Sequence, residues 1–209
     1  MDMNKDEINF RIQQELCRET IKTINNVDSD CFENKAFIKN KNELEDILRK
    51  HSIEKNVIDK IIEDYKHKLI PPGSKATVRG NKFNIIIKNY IIDMNLDKSR
   101  YDFEFERKTP FFNTDEIPDW YIHDKFTKKT IVGMNQVDLW GGGHQTNRAS
   151  KYLNDKNNSK DCKILCVVAN ETKIETYKSK KYNIFNTGFK NDTLCYLGNL
   201  KNIVKRFFA

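Results

Sequence analysis

Acidic and carboxamide side chains lie close together in two neighbouring stretches of the chain. Asp119 follows a proline in "IPDWYI", and "GMNQVDL" further on carries Asn135, Gln136 and Asp138. Hydrolysis of a phosphodiester with the help of Mg²⁺ needs several oxygen ligands for the metal and a polar group near the attacking water. If "GMNQVDL" is a strand, Gln136 and Asp138 share one face and Asn135 lies on the other. The two stretches therefore predict an oxygen-rich site for metal-dependent chemistry on phosphates.

A third stretch, "YDFEFERK", supplies further carboxylates. It alternates aromatic and acidic residues, which is typical of a half-buried strand. The alternation puts Glu104 and Glu106 on one face and Phe103 and Phe105 on the other. If this strand lies beside the strand that begins at Asp119, carboxylates from neighbouring strands would meet at one end of a sheet.

These polar residues also have simpler structural interpretations. Glu104 and Glu106 could be solvated strand residues, and Asp119 could cap a turn after the preceding proline. Asn135 and Gln136 lie in an otherwise apolar strand, where buried carboxamides need hydrogen-bond partners. Asn135 and Gln136 could therefore have a structural hydrogen-bonding role in the core rather than a catalytic one.

A glycine triplet and a basic helix start follow the second acidic stretch. The backbone of Gly141, Gly142 and Gly143 can approach an anion closely, and the positive end of the next helix favours phosphate. The alternative is a flexible loop into an amphipathic helix. The segment lacks the lysine and Ser/Thr of a P-loop, so nucleotide binding is not expected. Residues suited to contact the DNA backbone or base edges are Gly142, Gly143, Gln145, Asn147, Arg148 and Lys151.

The overall charge favours a polyanionic partner. Lys and Arg number 37 against 30 Asp and Glu, a formal net charge of +7. Lys75, Arg79 and Lys82 form a second basic cluster that could line a DNA groove or simply face solvent. His123 and His144 stand on polar turns without a partner at metal-ligand spacing, and we expect both at the surface, with His144 as a weak candidate for DNA contact.

Helical periodicity dominates the first third of the chain. Apolar residues recur at helical spacing up to about residue 70, and Asn42 with Glu45 resembles a helix cap. The run Pro71-Pro72-Gly73 then interrupts the pattern. We therefore predict a helical N-terminal subdomain over residues 1–70 and a second domain over residues 71–209.

The second domain reads as a mixture of helices and strands. We predict an amphipathic helix of about three turns over residues 81–92, three strands over 101–108, 119–124 and 129–139, and a helix after the glycines. A buried strand at 162–170 and a strand followed by a terminal helix complete the order. The predicted fold class is α+β, with a mixed central sheet flanked by helices.

The cysteines and the apolar runs indicate in which cellular compartment the protein is expected. Five cysteines at scattered positions suggest neither a disulfide framework nor a zinc site, and Cys162 and Cys166 are expected to be core thiols. No apolar signal segment opens the chain, and no run is long enough for a membrane span. We expect a soluble, cytoplasmic protein of a bacterial cell, or of an infected host cell if the protein is viral, with no membrane partner.

The segments "RGNKFN", "IPDWYI", "GMNQVDLWGGGHQTNRASKYL" and "CVVAN" resemble small type II restriction endonucleases of bacteria and large DNA viruses. The order of elements is likewise similar to the PD-(D/E)XK nuclease superfamily. The resemblance extends from about Ile70 to the carboxyl end. It implies a restriction-endonuclease-like sheet and a homodimer that cleaves double-stranded DNA at a short palindromic site with Mg²⁺.

Residue by residue, Pro118-Asp119 matches the first pair of the motif, so the resemblance makes Asp119 a metal ligand. The lysine of the motif falls on Gln136, a replacement that some members tolerate. The acid falls on Met134, which cannot bind Mg²⁺. The further catalytic or metal-binding carboxylates would then be Glu104, Glu106 or Asp138. Glu106-Arg107-Lys108 also spells ExK, but its place before Asp119 would require a permuted site.

The departure at Met134 leaves other functions open. A DNA-binding protein of the same fold that has lost catalysis is the main alternative to an active endonuclease. A structural protein that uses its helical first third as a docking surface is a more distant one.

Overall fold

A computed structural model describes residues 15–16, 18–26, 28–111, 117–137, 158–169 and 183–209. The chain forms two compact units: the helical unit is Lys22–Lys82, and the sheet unit combines Met1–Ile21 with Phe83–Ala209. The domain boundary expected near residue 71 stays a prediction. The predicted helix after the glycine triplet lies outside the described residues.

The helical unit is built from short amphipathic helices. Their bounds are α1 Asp28–Phe32, α2 Lys35–Lys50, α3 Lys55–Tyr65, a 3₁₀ turn Lys66–Lys68, and the first part of α4, Pro72–Ile92. Residues 18–25 are also helical. A small core of Cys31, Phe37 and Ile70 holds the unit together.

The cap predicted at Asn42 is wrong, because Asn42 lies inside α2. The helix begins a full two turns earlier, where the side chain of Asn34 accepts a hydrogen bond from the backbone N–H of Ala36 at 2.9 Å. Glu45 forms ion pairs one turn away with Lys41 and Arg49 instead of closing a capping box.

Helix α4 is longer than the three turns predicted over residues 81–92. It begins at Pro72, because a proline at the first helical position loses no hydrogen bond and has the right φ. Its apolar face was predicted correctly where it enters the sheet unit: Phe83, Ile87 and Ile91 are all fully buried.

The sheet unit contains five strands in the order β1-β2-β3-β4-β5. Their bounds are β1 Tyr101–Phe105, β2 Trp120–Asp124, β3 Thr130–Gln136, β4 Cys162–Val168 and β5 Leu194–Tyr196. Helix α5, Asn183–Lys190, precedes β5, and α6, Leu197–Phe208, follows it. The first three strands are antiparallel and the last three run parallel. The predicted α+β class, with a mixed sheet flanked by helices and a helical N-terminal region, is confirmed.

The middle of the sheet is buried on both faces. Tyr121, Val132, Met134 and Ile164 form an apolar cluster on one face. Trp120, Ile122 and Ile131 alternate with them and are buried on the other. Such double burial explains why β3 and β4 read as nearly continuous apolar runs. Within the described residues, Cys31, Cys166 and Cys195 are buried and Cys162 is half-buried.

The predicted surface position of His123 is wrong, because this residue is buried. It lies within β2, where it pairs with Thr130 of β3, and its Nδ1 is 2.9 Å from the Thr130 hydroxyl. The ring of Phe111 stacks on the imidazole at a centroid distance of 3.6 Å. Burial lowers the pKa of His123, with the charge of Lys128 acting in the same direction.

No helix in the described part of the chain is long and apolar enough to cross a membrane.

Candidate functional site

Asp119 lies directly before β2, where three strands meet. Its carbonyl accepts a hydrogen bond from the N–H of Glu106 at 3.0 Å, and its own N–H donates to the carbonyl of Gly133 at 3.1 Å. The backbone of Asp119 is therefore held from β3 and from the residue that follows β1. A residue fixed in this way on a sheet presents its side chain at a defined place.

The carboxylate of Asp119 accepts hydrogen bonds from two amide groups. The backbone N–H of Asn135 on β3 donates to Oδ2 at 2.6 Å. The side-chain amide of Asn84 on α4 donates to Oδ1 at 3.3 Å. The half-buried carboxylate is thus oriented by a strand on one side and by a helix on the other.

Two further contacts connect the same groups. The side-chain amide of Asn135 donates to Oδ1 of Asn84 at 3.0 Å, and the indole N–H of Trp120 donates to Oδ1 of Asn135 at 3.0 Å. We call these four residues, Asp119, Asn84, Asn135 and Trp120, the Asp119 cluster. Each of the two half-buried side-chain amides has a partner, so the cluster has one preferred arrangement.

Gly133 makes room for the indole of Trp120. The two residues are paired across β2 and β3, and a Cβ at position 133 would lie 1.7 Å from Cε2 of Trp120. No side chain can be accommodated at that distance, so the indole passes over β3 only because residue 133 is glycine. This close approach brings the indole N–H to Asn135.

The other predicted acidic and carboxamide residues lie elsewhere around this end of the sheet. Gln136 is the last residue of β3 and is buried, on the face opposite to Asn135. Glu104 pairs with Tyr121 across β1 and β2, and its carboxylate lies 3.4 Å from the guanidinium of Arg107. The pKa of Tyr121 is raised, mainly by burial and further by the charge of Glu104.

Glu106 and Asp138, with Glu104, are the predicted sources of a second carboxylate. Glu106 is exposed and follows β1 rather than lying within it, because its φ of 52° interrupts the extended backbone. Asp138 lies outside the described residues. Among the described acidic residues, Glu106 is the one whose backbone N–H donates to the carbonyl of Asp119.

The oxygen atoms of the Asp119 cluster are ligands of the type that Mg²⁺ prefers, but they are too few to complete its coordination shell. A carboxylate and an amide oxygen are the hard ligands that Mg²⁺ prefers. Among the residues whose positions are described, no group of three or more His, Cys, Asp or Glu side chains is placed to hold a metal. Asp119 would supply one ligand, since Oδ1 of Asn84 already accepts from Asn135. A second carboxylate would have to come from Glu104, Glu106 or Asp138.

The predicted DNA-binding residues fall into two sets. Lys75, Arg79 and Lys82 lie on the part of α4 that belongs to the helical unit. Lys82 bonds there to the carboxylate of Asp30 at 2.5 Å and to the carbonyl of Asn26 at 2.8 Å, so it has a structural role. The second set lies outside the described residues: Gly142, Gly143, Gln145, Asn147, Arg148 and Lys151.

Arg79 differs from Lys82 in its surroundings. Its Nε is buried and has no hydrogen-bond partner among the described residues. A guanidinium N–H left without an acceptor is costly unless a ligand or water supplies one. Arg79 therefore stays a candidate for contact with an anion.

Sequence reasoning missed Asn84. It placed Asn135 in the polar stretch, with a structural hydrogen-bond role as an alternative, but did not name it as a site residue. Asn84 directly follows Phe83 in the apolar stripe of α4, which places a carboxamide at the margin of the buried face. A polar residue at such a margin is the signal that would have identified it. Its contact with Asp119 depends on the packing of the helix against the sheet, which periodicity does not reveal.

No protein-family model matches the chain, and comparison with curated proteins gives no match. A structural match is the crystal structure of protein VC1899 from Vibrio cholerae, with 11% sequence identity and a TM-score of 0.39. The match covers 92% of this chain and 55% of that one, so the chain spans about half the length of that protein.

Proposed function

We propose that the protein is a Mg²⁺-dependent endonuclease of the type II restriction kind that cleaves double-stranded DNA as a homodimer. The site would be short and palindromic, as the sequence resemblance implies. The observation that most supports this proposal is the position of Asp119, whose carboxylate is oriented by the N–H of Asn135 and the amide of Asn84. A fixed carboxylate at the end of a rigid sheet suits a metal ion that must contact a scissile phosphate.

The proposed roles follow from the positions of the groups. Asp119 would ligate Mg²⁺, while Asn84 and Asn135 keep its carboxylate in place. Mg²⁺, when bound, would polarise the phosphate and lower the pKa of an attacking water. Gln136 at the end of β3 would help to position that water or the metal, and Glu106 would complete the ligands.

The test of this proposal is the substitution Asp119→Asn, which removes the charge and keeps the shape. We expect cleavage of supercoiled plasmid in Mg²⁺ to fall by about 10³-fold, since metal assistance contributes several kcal/mol. Binding of a DNA fragment, measured with Ca²⁺ in place of Mg²⁺, should change by less than about threefold. Asp93→Asn, at an exposed aspartate just after α4, is the matched control and should cut normally. Equal cleavage by Asp119→Asn and wild type would overturn the proposal.

The alternative is a DNA-binding protein of the same fold without catalysis. Met134 supports it, because this residue stands where the resemblance requires an acid and is buried in the apolar cluster of Tyr121, Val132 and Ile164. Salt-sensitive binding of DNA without cleavage in Mg²⁺ or Mn²⁺ would favour this alternative. Absence of any DNA binding at low salt would count against both functions.

A further inference from the structure

The turn between β2 and β3 presents an aromatic ring to solvent. We call residues 125–129 the hairpin tip. Phe126 in this tip is 73% exposed, more than any other large hydrophobic side chain in the described ranges of the chain. An exposed phenyl ring does not contribute the favourable free energy that burial would provide. We therefore expect a function of this residue at the surface.

The tip is held in one conformation by Asp124. Its Oδ1 accepts hydrogen bonds from the backbone N–H groups of Phe126 at 2.9 Å and of Thr127 at 3.4 Å, and its carbonyl accepts one from Lys128 at 2.8 Å. Arg100 in turn fixes Oδ2 of Asp124 with two hydrogen bonds at 2.7 and 3.0 Å. The ring of Phe126 is therefore presented on an ordered turn, which reduces the entropy lost when a partner binds.

Lysines flank Phe126 on both sides along the hairpin tip. The tip contains Lys125, Lys128 and Lys129, and Nζ of Lys125 donates to the carbonyl of Lys98 at 2.8 Å, which brings a fourth lysine to the tip. Lys98 and Lys128 are exposed. The nearby acids offset this charge only in part, because Asp124 is paired with Arg100 and Asp102 with Lys125. An exposed aromatic ring among lysines suits a partner that has both flat rings and negative charges.

We propose that the hairpin tip binds single-stranded nucleic acid. Phe126 stacks on an unpaired base, and Lys98 and Lys128 contact the flanking phosphates. Base stacking needs one accessible ring, which the tip provides. Insertion into an anionic membrane depends on the apolar area that is buried, and the neighbours of Phe126 in the tip are Thr127 and lysines. Nucleic acid therefore suits this surface better than lipid.

This surface is distinct from the Asp119 cluster. Asp119 precedes β2 and the tip follows it, so the five residues of the strand separate them by roughly 20 Å. The proposal does not rest on the proposed nuclease activity, and binding can be measured without metal or cleavage. Failure of one proposal would leave the other standing.

The experiment measures the fluorescence anisotropy of a labelled oligo(dT) of about twelve nucleotides at low salt with EDTA. We expect Phe126→Ala to weaken binding of this single strand by about tenfold, the usual effect of losing one stacked base. Binding of a blunt duplex should change by less than about twofold. Phe126→Trp, which keeps an aromatic ring, should bind the single strand as well as wild type. Ile92→Ala, at an exposed apolar residue of α4 in the same unit, should leave binding unchanged.

The charges provide an independent readout. Lys98→Glu and Lys128→Glu should each lower the dependence of the single-strand affinity on salt, by about 0.7 in the slope of log K against log salt for each lost phosphate contact. Equal single-strand binding by Phe126→Ala and wild type would overturn the proposal. Equal loss of single-strand and duplex binding would also overturn it, because stacking on unpaired bases would then not be involved. Binding to phosphatidylserine vesicles that Phe126→Ala abolishes, with oligo(dT) binding intact, would assign the tip to membranes instead.

Discussion

Two hydrogen bonds to the Asp119 carboxylate come from the neutral amides of Asn135 and Asn84. Amide donors orient a carboxylate without adding a positive charge of their own. An arginine or lysine in place of Asn84 would orient Asp119 equally well but would repel a divalent cation. At the scale of single residues, the choice of asparagine on α4 is thus consistent with a site that receives a metal.

Asn84→Ala tests this role. The substitution removes the amide that donates to Asp119 and the oxygen that accepts from Asn135. We expect cleavage of plasmid DNA to fall about tenfold or more, because a displaced ligand disturbs the position of the metal. The free energy of unfolding should fall by only about 1–2 kcal/mol. Asn89→Ala, at an exposed residue of the same helix, is the control, and full cleavage by Asn84→Ala would show that Asp119 needs no support from α4.

His123 makes stability depend on pH near neutrality. Because burial lowers its pKa in the folded protein, the unfolded chain takes up the proton more readily. The part of the unfolding free energy that depends on His123 is therefore fully present above the unfolded pKa of about 6.5. It declines as the pH falls below that value. We expect the fall in Tm between pH 7 and pH 5 to be smaller, by roughly 2–4 °C, in His123→Asn than in wild type.

The matched control is His51→Asn, at an exposed residue that caps α2. This variant keeps His123, so its Tm should still fall between pH 7 and pH 5. A pH profile of His123→Asn parallel to that of the unmodified protein would mean that His123 is not the residue that titrates.

At the scale of elements, the contact between β2 and β3 links core packing to the site. Gly133 lets the indole of Trp120 cross β3, and the same indole donates to Asn135 beside Asp119. Packing of the two strands therefore determines the position of a polar group in the Asp119 cluster. A change on the apolar side of this contact should reach the carboxylate.

Gly133→Ala makes that change. A methyl group 1.7 Å from Cε2 of Trp120 must push the indole aside, so we expect a loss of about 2–3 kcal/mol of stability and a loss of the hydrogen bond to Asn135. Thermal unfolding and a shift of the tryptophan emission measure the two effects. Gly80→Ala in α4, where a Cβ meets nothing within 4 Å, should instead be neutral or stabilise by up to about 1 kcal/mol. Equal stability of both variants would contradict the tight approach of Trp120.

The elements themselves could largely be predicted, for physical reasons that differ between them. The stripe of Phe83, Ile87 and Ile91 predicts a helix face because period 3.6 is specific, and alternation in "YDFEFERK" predicts β1. Element ends were less predictable: Pro72 starts α4, and Glu106 ends β1 through a positive φ. The parallel pairing of β3 with β4 depends on a long connection between them, which local patterns do not encode.

At the scale of the whole chain, the candidate site shows the limit of sequence reasoning. The sequence predicts Asp119 at the start of a strand, and the structure has it directly before β2; its role as a metal ligand stays a prediction. Asn84 was not predicted, because its contact with Asp119 joins residues 35 positions apart. Contacts between distant segments arise from the packing of helix on sheet, which a single sequence specifies only collectively.

A second long-range contact joins three distant segments of the chain. Asp124 at the end of β2 is fully buried and receives two hydrogen bonds from Arg100 before β1, and Arg100 also donates to the carbonyl of Phe208 in α6 at 3.2 Å. Asp124→Asn should lower Tm at pH 7 by roughly 5 °C or more, because it leaves the guanidinium without its ionic partner. Asp161→Asn, at an exposed aspartate, should have no such effect.

The pH dependence of this variant identifies the cause. The hydrogen bonds from Arg100 hold the pKa of Asp124 well below its usual value, so the folded protein keeps the carboxylate ionised at pH values where the unfolded chain is protonated. The stabilisation is present above the unfolded pKa of about 3.9 and is lost as the pH falls toward the lower pKa of the folded state. The difference in Tm between wild type and Asp124→Asn should therefore be constant from pH 7 to about pH 5 and shrink between about pH 4 and pH 2. A difference that stays the same down to pH 2 would show that the ionised carboxylate is not what joins β2 to Arg100 and α6.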